Sequence, residues 1–324
     1  MFQFIIIFTM LIMLVTLYLS VLYSVKADKN LLLGIRFPAE YRNQSEVKEI
    51  FKTFQKSSRI ILAIFFAAMI PIIFIEYTSI LITVMSIWFI LYMWLCFYCV
   101  QYYGRKLMLV KSRNRWFSED GGEEILKDKK ILSWFQKHRL LTDSKELIFV
   151  DDDKYWLKGY YYNPEDKKTI IKSRFRGGTS LNMAARGAKV FLIGILAFSG
   201  FVLGGVILIF AVMDFSTFKL TIDGENIQIK APLYGYQFRT EEVKEITLNE
   251  GLPEDERRTN GAGTDTYLLG DFYYEGYGKA KDYLYKDTPL YISIRLDNLT
   301  VFFNAKSEGK TRDYYEVLKE VITH

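Results

Sequence analysis

An α-helical membrane region of four spans followed by a C-terminal all-β domain closed by one helix is the fold this sequence predicts. Three observations predict it. Four long apolar stretches interrupt the 324-residue chain, short alternating hydrophobic runs fill its last third, and the charge between the apolar stretches changes sign. Hydrophobic residues make up 50% of the chain and are packed into blocks, the composition of a membrane protein with water-facing parts. The domains expected are a membrane region over 1–103, a basic segment over 104–189, a fourth transmembrane helix over 190–213 and a folded domain over 214–324.

Residues 4–25 form a run of 22 without a charge. At about 1.5 Å per residue such a helix crosses a hydrocarbon core of about 30 Å. It has no basic leader, is too long for a signal peptide and ends without a small-x-small site, so it reads as an uncleaved anchor. Residues 60–75 are a short span of 16 containing Pro71, lengthened by the preceding serines and by snorkelling of Arg59. Residues 77–103 and 190–212 are generous spans.

Orientation follows from the charge between them. Residues 26–59 carry 8 Lys/Arg against 4 Asp/Glu, and 105–189 carry 20 against 12. Residues 214–324 reverse this, with 14 against 20. Cytoplasmic loops hold the positive excess, so both basic segments belong inside and Met1 and the C-terminal domain outside. A shallow hairpin over 60–103 would leave that parity unchanged.

Within the first basic segment, Asn43 and Glu46 have capping-box spacing, and Val47, Ile50, Phe51 and Phe54 follow at helical intervals. A helix is expected from about residue 44 into the second span, its stripe facing either a partner or its own loop and the membrane. The third span continues as a basic extension over 105–115 to Trp116-Phe117. A further helix over 123–139, with Ile125, Leu126, Ile131, Leu132, Trp134 and Phe135, suits an interfacial helix or a small cytoplasmic core equally.

Residues 151–185 contain Asp151-Asp152-Asp153-Lys154-Tyr155-Trp156, Gly159-Tyr160-Tyr161-Tyr162-Asn163-Pro164-Glu165-Asp166, Gly177-Gly178 and Leu181-Asn182. This pattern resembles a short segment of uncharacterised bacterial membrane proteins, which names no activity. The three aspartates lack the alternating spacing of a calcium loop and read as a solvated turn. Cys96 and Cys99 fall inside the third span, where they read as small packing residues. Gly200 and Gly204 form a G-x-x-x-G that would admit another helix, from the same chain or a second copy.

Strands are expected at 219–222, 226–230, 236–239, 243–248, 267–274, 290–296 and 300–303, with a turn at Asp223-Gly224 and a closing helix over 311–322. The opening hairpin, Glu241-Glu242-Val243-Lys244-Glu245-Ile246, the Arg257-Arg258-Thr259-Asn260-Gly261-Ala262-Gly263 loop, Leu269-Gly270-Asp271-Phe272 and the terminal helix together resemble bacterial pleckstrin-homology-like domains over about 217–323. The resemblance implies a sandwich or barrel plugged by one helix, acting as a binding or assembly scaffold. It does not imply phosphoinositide binding, because the first hairpin reads Asp223-Gly224-Glu225 and the domain is acidic. Within the loop, Arg257 and Arg258 beside Asn260, Gly261 and Gly263 suit either an anion or partner site or a structural hairpin.

Only His138 and His324 are present, so no imidazole triad or zinc hydrolase site assembles within the chain. No phosphate-cradling glycine motif occurs, and the apolar stretches carry no ionisable residue apart from Glu76 at a turn, which disfavours a transporter. The expectation is a non-enzymatic bacterial inner-membrane protein without cofactor, metal or nucleic-acid partner. It meets the lipid bilayer and a protein partner or a second copy, in envelope sensing or antimicrobial resistance. Gly34-Ile35-Arg36-x-Pro38 is also similar to a motif of toxin-immunity and signal-transducing membrane proteins, the alternative reading.

Overall fold

A computed structural model describes residues 2–25, 31–117, 123–141, 147–175, 178–254 and 256–323. Lys26, Gly177, Asp255 and His324 lie outside them. The chain forms two compact units, one of Ile7–Pro71 with Met85–Leu203, the other of Met1–Ile6, Ile72–Val84 and Gly204–His324.

The helical region begins with α1 (Phe2–Val25), the two-residue hairpin strands β1 (Leu31–Leu32) and β2 (Ile35–Arg36), α2 (Ser45–Ala67) and α3 (Thr78–Asn114). There follow β3 (Glu124–Ile125), α4 (Lys129–Lys137), β4 (Ile148–Phe149), β5 (Ile170–Lys172), β6 (Thr179–Leu181) and α5 (Arg186–Phe215). Four helical segments, Ile5–Tyr23, Ser45–Phe74, Thr78–Asn114 and Arg186–Phe215, are long and apolar enough to cross a membrane. The α-helix of the second stops short of Pro71, whose ring and missing N–H cannot continue it, and a 3-10 turn over Pro71–Phe74 completes the segment. The Phe65 carbonyl near that end accepts from Trp88 Nε1 at 3.2 Å. Phe65 also packs on Trp88 and Tyr92, and Tyr92 donates to the Leu14 carbonyl at 3.3 Å, tying α1, α2 and α3 together.

Around the polar ends of α2 and α3, Leu33, Ile35, Phe37, Val47, Phe54, Leu107, Ile131, Phe135, Leu147 and Phe149 fuse into one buried core. The stripe on α2 is therefore covered by its own chain. The expected helix over 123–139 shortens to α4, because Asp128 caps it, accepting from the N–H groups of Lys130 and Ile131, while Glu124–Ile125 pairs with β4. The expected capping box is also corrected: Gln44 occupies the N-cap without a side-chain bond, and Glu46 instead pairs with Arg113 at 2.7 Å.

The C-terminal domain holds β7 (Lys219–Asp223), β8 (Asn226–Lys230), β9 (Tyr236–Arg239), β10 (Glu245–Glu250), β11 (Glu256–Gly263), β12 (Tyr267–Tyr274), β13 (Gly278–Tyr285), β14 (Leu290–Arg295), β15 (Thr300–Phe303) and α6 (Glu308–Thr323). A three-stranded sheet runs β7-β8-β9, and a six-stranded sheet runs β10-β14-β15-β13-β12-β11. Of these strands, β11 and β13 are additional to the sequence expectation. The β14–β15 hairpin places β15 beside β13 in parallel, the single parallel pair of the sheet among the described residues.

Alternation on the inner strands puts Ile227, Ile229, Leu269, Tyr283, Ile292, Ile294, Val301 and Phe303 in one core with Leu318 of α6. The alternate residues of the large sheet, Leu268, Phe272, Tyr274, Ala280, Leu284, Tyr291 and Phe302, form a second buried cluster. Both faces of that sheet are apolar, which is why β13 shows no polar-apolar alternation to the eye.

Candidate functional site

Among the described residues, the first unit gathers its buried charged side chains in one place. Tyr103, Leu107 and Lys111 recur every four residues along α3, so they share a face, and that face is buried. Lys111 therefore enters the core with its ammonium, meeting Asp151 Oδ2 and, at 2.7 Å, Asp153 Oδ2. Arg174, after β5, completes the set by pairing with Asp153 Oδ1 and Asp152 Oδ1. Arg36 of β2 bonds Asp152 through Nε at 2.7 Å and Asp153 through its backbone N–H at 3.1 Å.

Three cations thus balance three aspartates, and four chain segments meet at them. The expected solvated turn at Asp151-Asp152-Asp153 is corrected: Asp151 and Asp153 are buried and only Asp152 is partly exposed. Burial, joined by repulsion from Asp153, holds the Asp151 carboxyl above its ordinary range despite Lys111. At Asp153 burial is overcome by Arg174 and Lys111, and the carboxyl is held below its ordinary range. The balanced charge suits a clasp that fixes loops, with no unpaired acid or base poised for proton transfer.

The glycines of this region serve the same packing. Gly34 has φ +76°, and a Cβ there would lie 2.9 Å from the Phe175 ring; at Gly159, φ +83°, it would lie 1.5 Å from Gln101 Nε2. Asn182, fully buried, donates to the carbonyls of Asn163 and Asp166, both at 2.9 Å, and accepts from the N–H groups of Asn163 and Ala184. One side chain holds the Asn163-Pro164-Glu165-Asp166 turn. His138 stacks on Trp134 and meets Tyr98 at 2.9 Å, a packing role. Cys96 and Cys99 are free thiols, with Cys99 Sγ 3.8 Å from Ser58 Oγ.

The residues expected to form an anion or partner loop lie elsewhere, on β11. Arg257, Arg258, Thr259 and Asn260 are exposed along the edge of the six-stranded sheet, with a bulge between Arg258 and Asn260. The loop expectation is thereby corrected, since a strand sends successive N–H groups to opposite sides instead of converging them. Gly261 and Gly263 stand opposite Gly270 and Leu268. A Cβ at Gly261 would lie 2.4 Å from the Leu269 carbonyl oxygen, so glycine is set here by backbone approach. Thr259 donates to the Asp271 carbonyl at 3.0 Å, and Lys281 pairs with Asp271 at 2.5 Å. Among the described residues neither Arg257 nor Arg258 has an ion-pair partner.

A Cβ built at Gly200 or Gly204 on α5 meets nothing within 4 Å, so among the described residues no helix uses that small-residue stripe. No group of three or more metal-ligating side chains occurs among the described residues. Comparisons with protein-family models, with curated proteins and with solved structures find no match.

The composition of the ion network shows what the sequence could have signalled. Lys111 continues the Tyr103, Leu107 stripe, and a cation on an apolar stripe demands a buried anion. Arg174 carries no comparable pattern; only the fold brings it to Asp153.

Proposed function

We propose that this chain is a non-enzymatic integral membrane protein whose C-terminal domain is a binding or assembly module outside the membrane, with both basic segments on the cytoplasmic side. The observation that carries this reading is β11. It ends the six-stranded sheet with eight residues, its first five exposed and two of them arginines. An uncovered edge of that length offers main-chain hydrogen bonds to an added strand, and the arginines favour one bearing carboxylates. The resemblance to pleckstrin-homology-like scaffolds agrees with it, and envelope sensing or antimicrobial resistance is the setting such scaffolds suggest.

The test is site-specific photo-crosslinking in cells with a reactive residue at Thr259 and, as a control, at Glu308. An adduct from 259 that vanishes when Asn260→Pro is added supports the module. Labelling from neither position, or an adduct indifferent to the proline, refutes it.

The toxin-immunity reading draws on one observation: Gly34-Ile35-Arg36 is held to Asp152 and Asp153, so the two motif-bearing segments form one structure. Deletion that sensitises cells to a single toxin, with crosslinking from Thr259 absent, would favour it.

A further inference from the structure

The second unit contains a polar cavity of about 190 Å³ at the place where two apolar helices end. Tyr77 precedes the first turn of α3, and Asp214 lies in the last turn of α5. Asp214, 6% exposed, accepts from the backbone N–H of Ser79 at 2.7 Å and from the Tyr267 hydroxyl at 3.3 Å. Asp214 sits in the cavity floor at the N-terminus of α3, where the helix dipole favours an acidic side chain. Two of its roughly four acceptor sites are used, which leaves room for a further donor. Beside it the buried Ser79 hydroxyl has no hydrogen-bond partner among the described residues.

The rim carries both signs. Glu76 and Asp287 are exposed acids, and the Lys306 ammonium stands 5.4 Å from the centre of the Tyr285 ring. An occupant must offer N–H donors to the floor and a negative group to Lys306. The cavity is several times the volume that a single water needs. It sits at the level where the apolar segments stop, which is where lipid headgroups lie.

We infer that this cavity binds a zwitterionic lipid headgroup with a primary ammonium, of the phosphatidylethanolamine type, its ammonium on Asp214 and its phosphate toward Lys306. A choline headgroup has no N–H to donate to Asp214, and a glycerol headgroup has no cation, so both are discriminated against. This site is separate from β11, and the inference stands whether or not the edge strand takes a partner.

Native mass spectrometry of the full chain, purified in detergent and offered equal dioleoyl-phosphatidylethanolamine, -choline and -glycerol, tests it. Ethanolamine lipid should be retained about tenfold over the others, the factor for one charge-assisted hydrogen bond. Asp214→Asn could disturb α3, so the exposed rim variants Lys306→Glu and Asp287→Lys carry the test, each expected to cut retention severalfold at unchanged melting temperature. O-phosphoethanolamine should displace the lipid better than ethanolamine. Equal retention of the three lipids, or retention unchanged in both rim variants, overturns the site. Equal displacement by ethanolamine overturns the headgroup assignment in favour of a free amine.

Discussion

Lys111 and Asp153 meet at 2.7 Å with both side chains 1% exposed, a salt bridge removed from water at the end of a 37-residue helix. Desolvation cancels much of such a pair's attraction, but deleting one partner strands the other. Lys111→Met should therefore destabilise the chain by about 3–5 kcal/mol, while Lys111→Met combined with Asp153→Asn should recover part of that loss. Thermal unfolding of the four proteins of this cycle, in one detergent, gives the coupling. A double variant no better than the sum of the singles would mean that the two residues act independently.

Asn182 is the second buried polar hub. Asn182→Ala leaves two carbonyls and two N–H groups of the 163–166 turn and Ala184 without partners, at about 1–3 kcal/mol for each group that water cannot reach. Amide exchange at Asn163 and Ala184, followed by mass spectrometry, should accelerate in the variant. Unchanged exchange would show the turn to be held by other contacts.

Asp282 gives the C-terminal domain a pH dependence. It is fully buried in the second cluster, its Oδ2 accepts from Tyr274 at 2.5 Å and its Oδ1 has no partner among the described residues. Burial pushes its carboxyl up to about 7. A carboxyl raised in the folded state stabilises that state fully below its unfolded value, near 4, and the contribution disappears as pH rises through about 7. Asp282→Asn should therefore gain melting temperature relative to the parent at pH 8 and show little gain at pH 4. An equal difference at both pH values would contradict the assignment.

Orientation is tested by thiol labelling after Cys96→Ala and Cys99→Ala. A cysteine at exposed Asn260 should react with an impermeant maleimide in intact cells, and one at exposed Lys167 only after permeabilisation. The reverse pattern would place the sheet domain inside.

The parts of the fold written in local chemistry were legible. The four apolar stretches coincide with helices, and all seven expected strands form within a few residues of their expected bounds. The two unexpected strands have physical causes. In β11, Arg257 to Gly263 has turn composition, yet cross-strand pairing with β12 overrides it. In β13, Lys279, Lys281 and Asp282 interrupt the apolar pattern because the sheet is covered on both faces. The ion network was half visible: three aspartates were conspicuous, but their partners come from 36, 111 and 174, and a separation of that kind is set by tertiary contact alone. The cavity around Asp214 was illegible for the same reason, its residues being drawn from five stretches of chain.

Gly261 and Gly270 face each other so closely that a Cβ on either would strike the opposite backbone, at 2.4 Å and 2.6 Å. That contact splits β11 into halves with different freedom to evolve. From Glu256 to Asn260 the strand can exchange side chains and so retune what it attracts, whereas a side chain at Gly261 would prise the edge off its neighbour. Lineages that diverge in partner should therefore differ at the first half and keep the glycine.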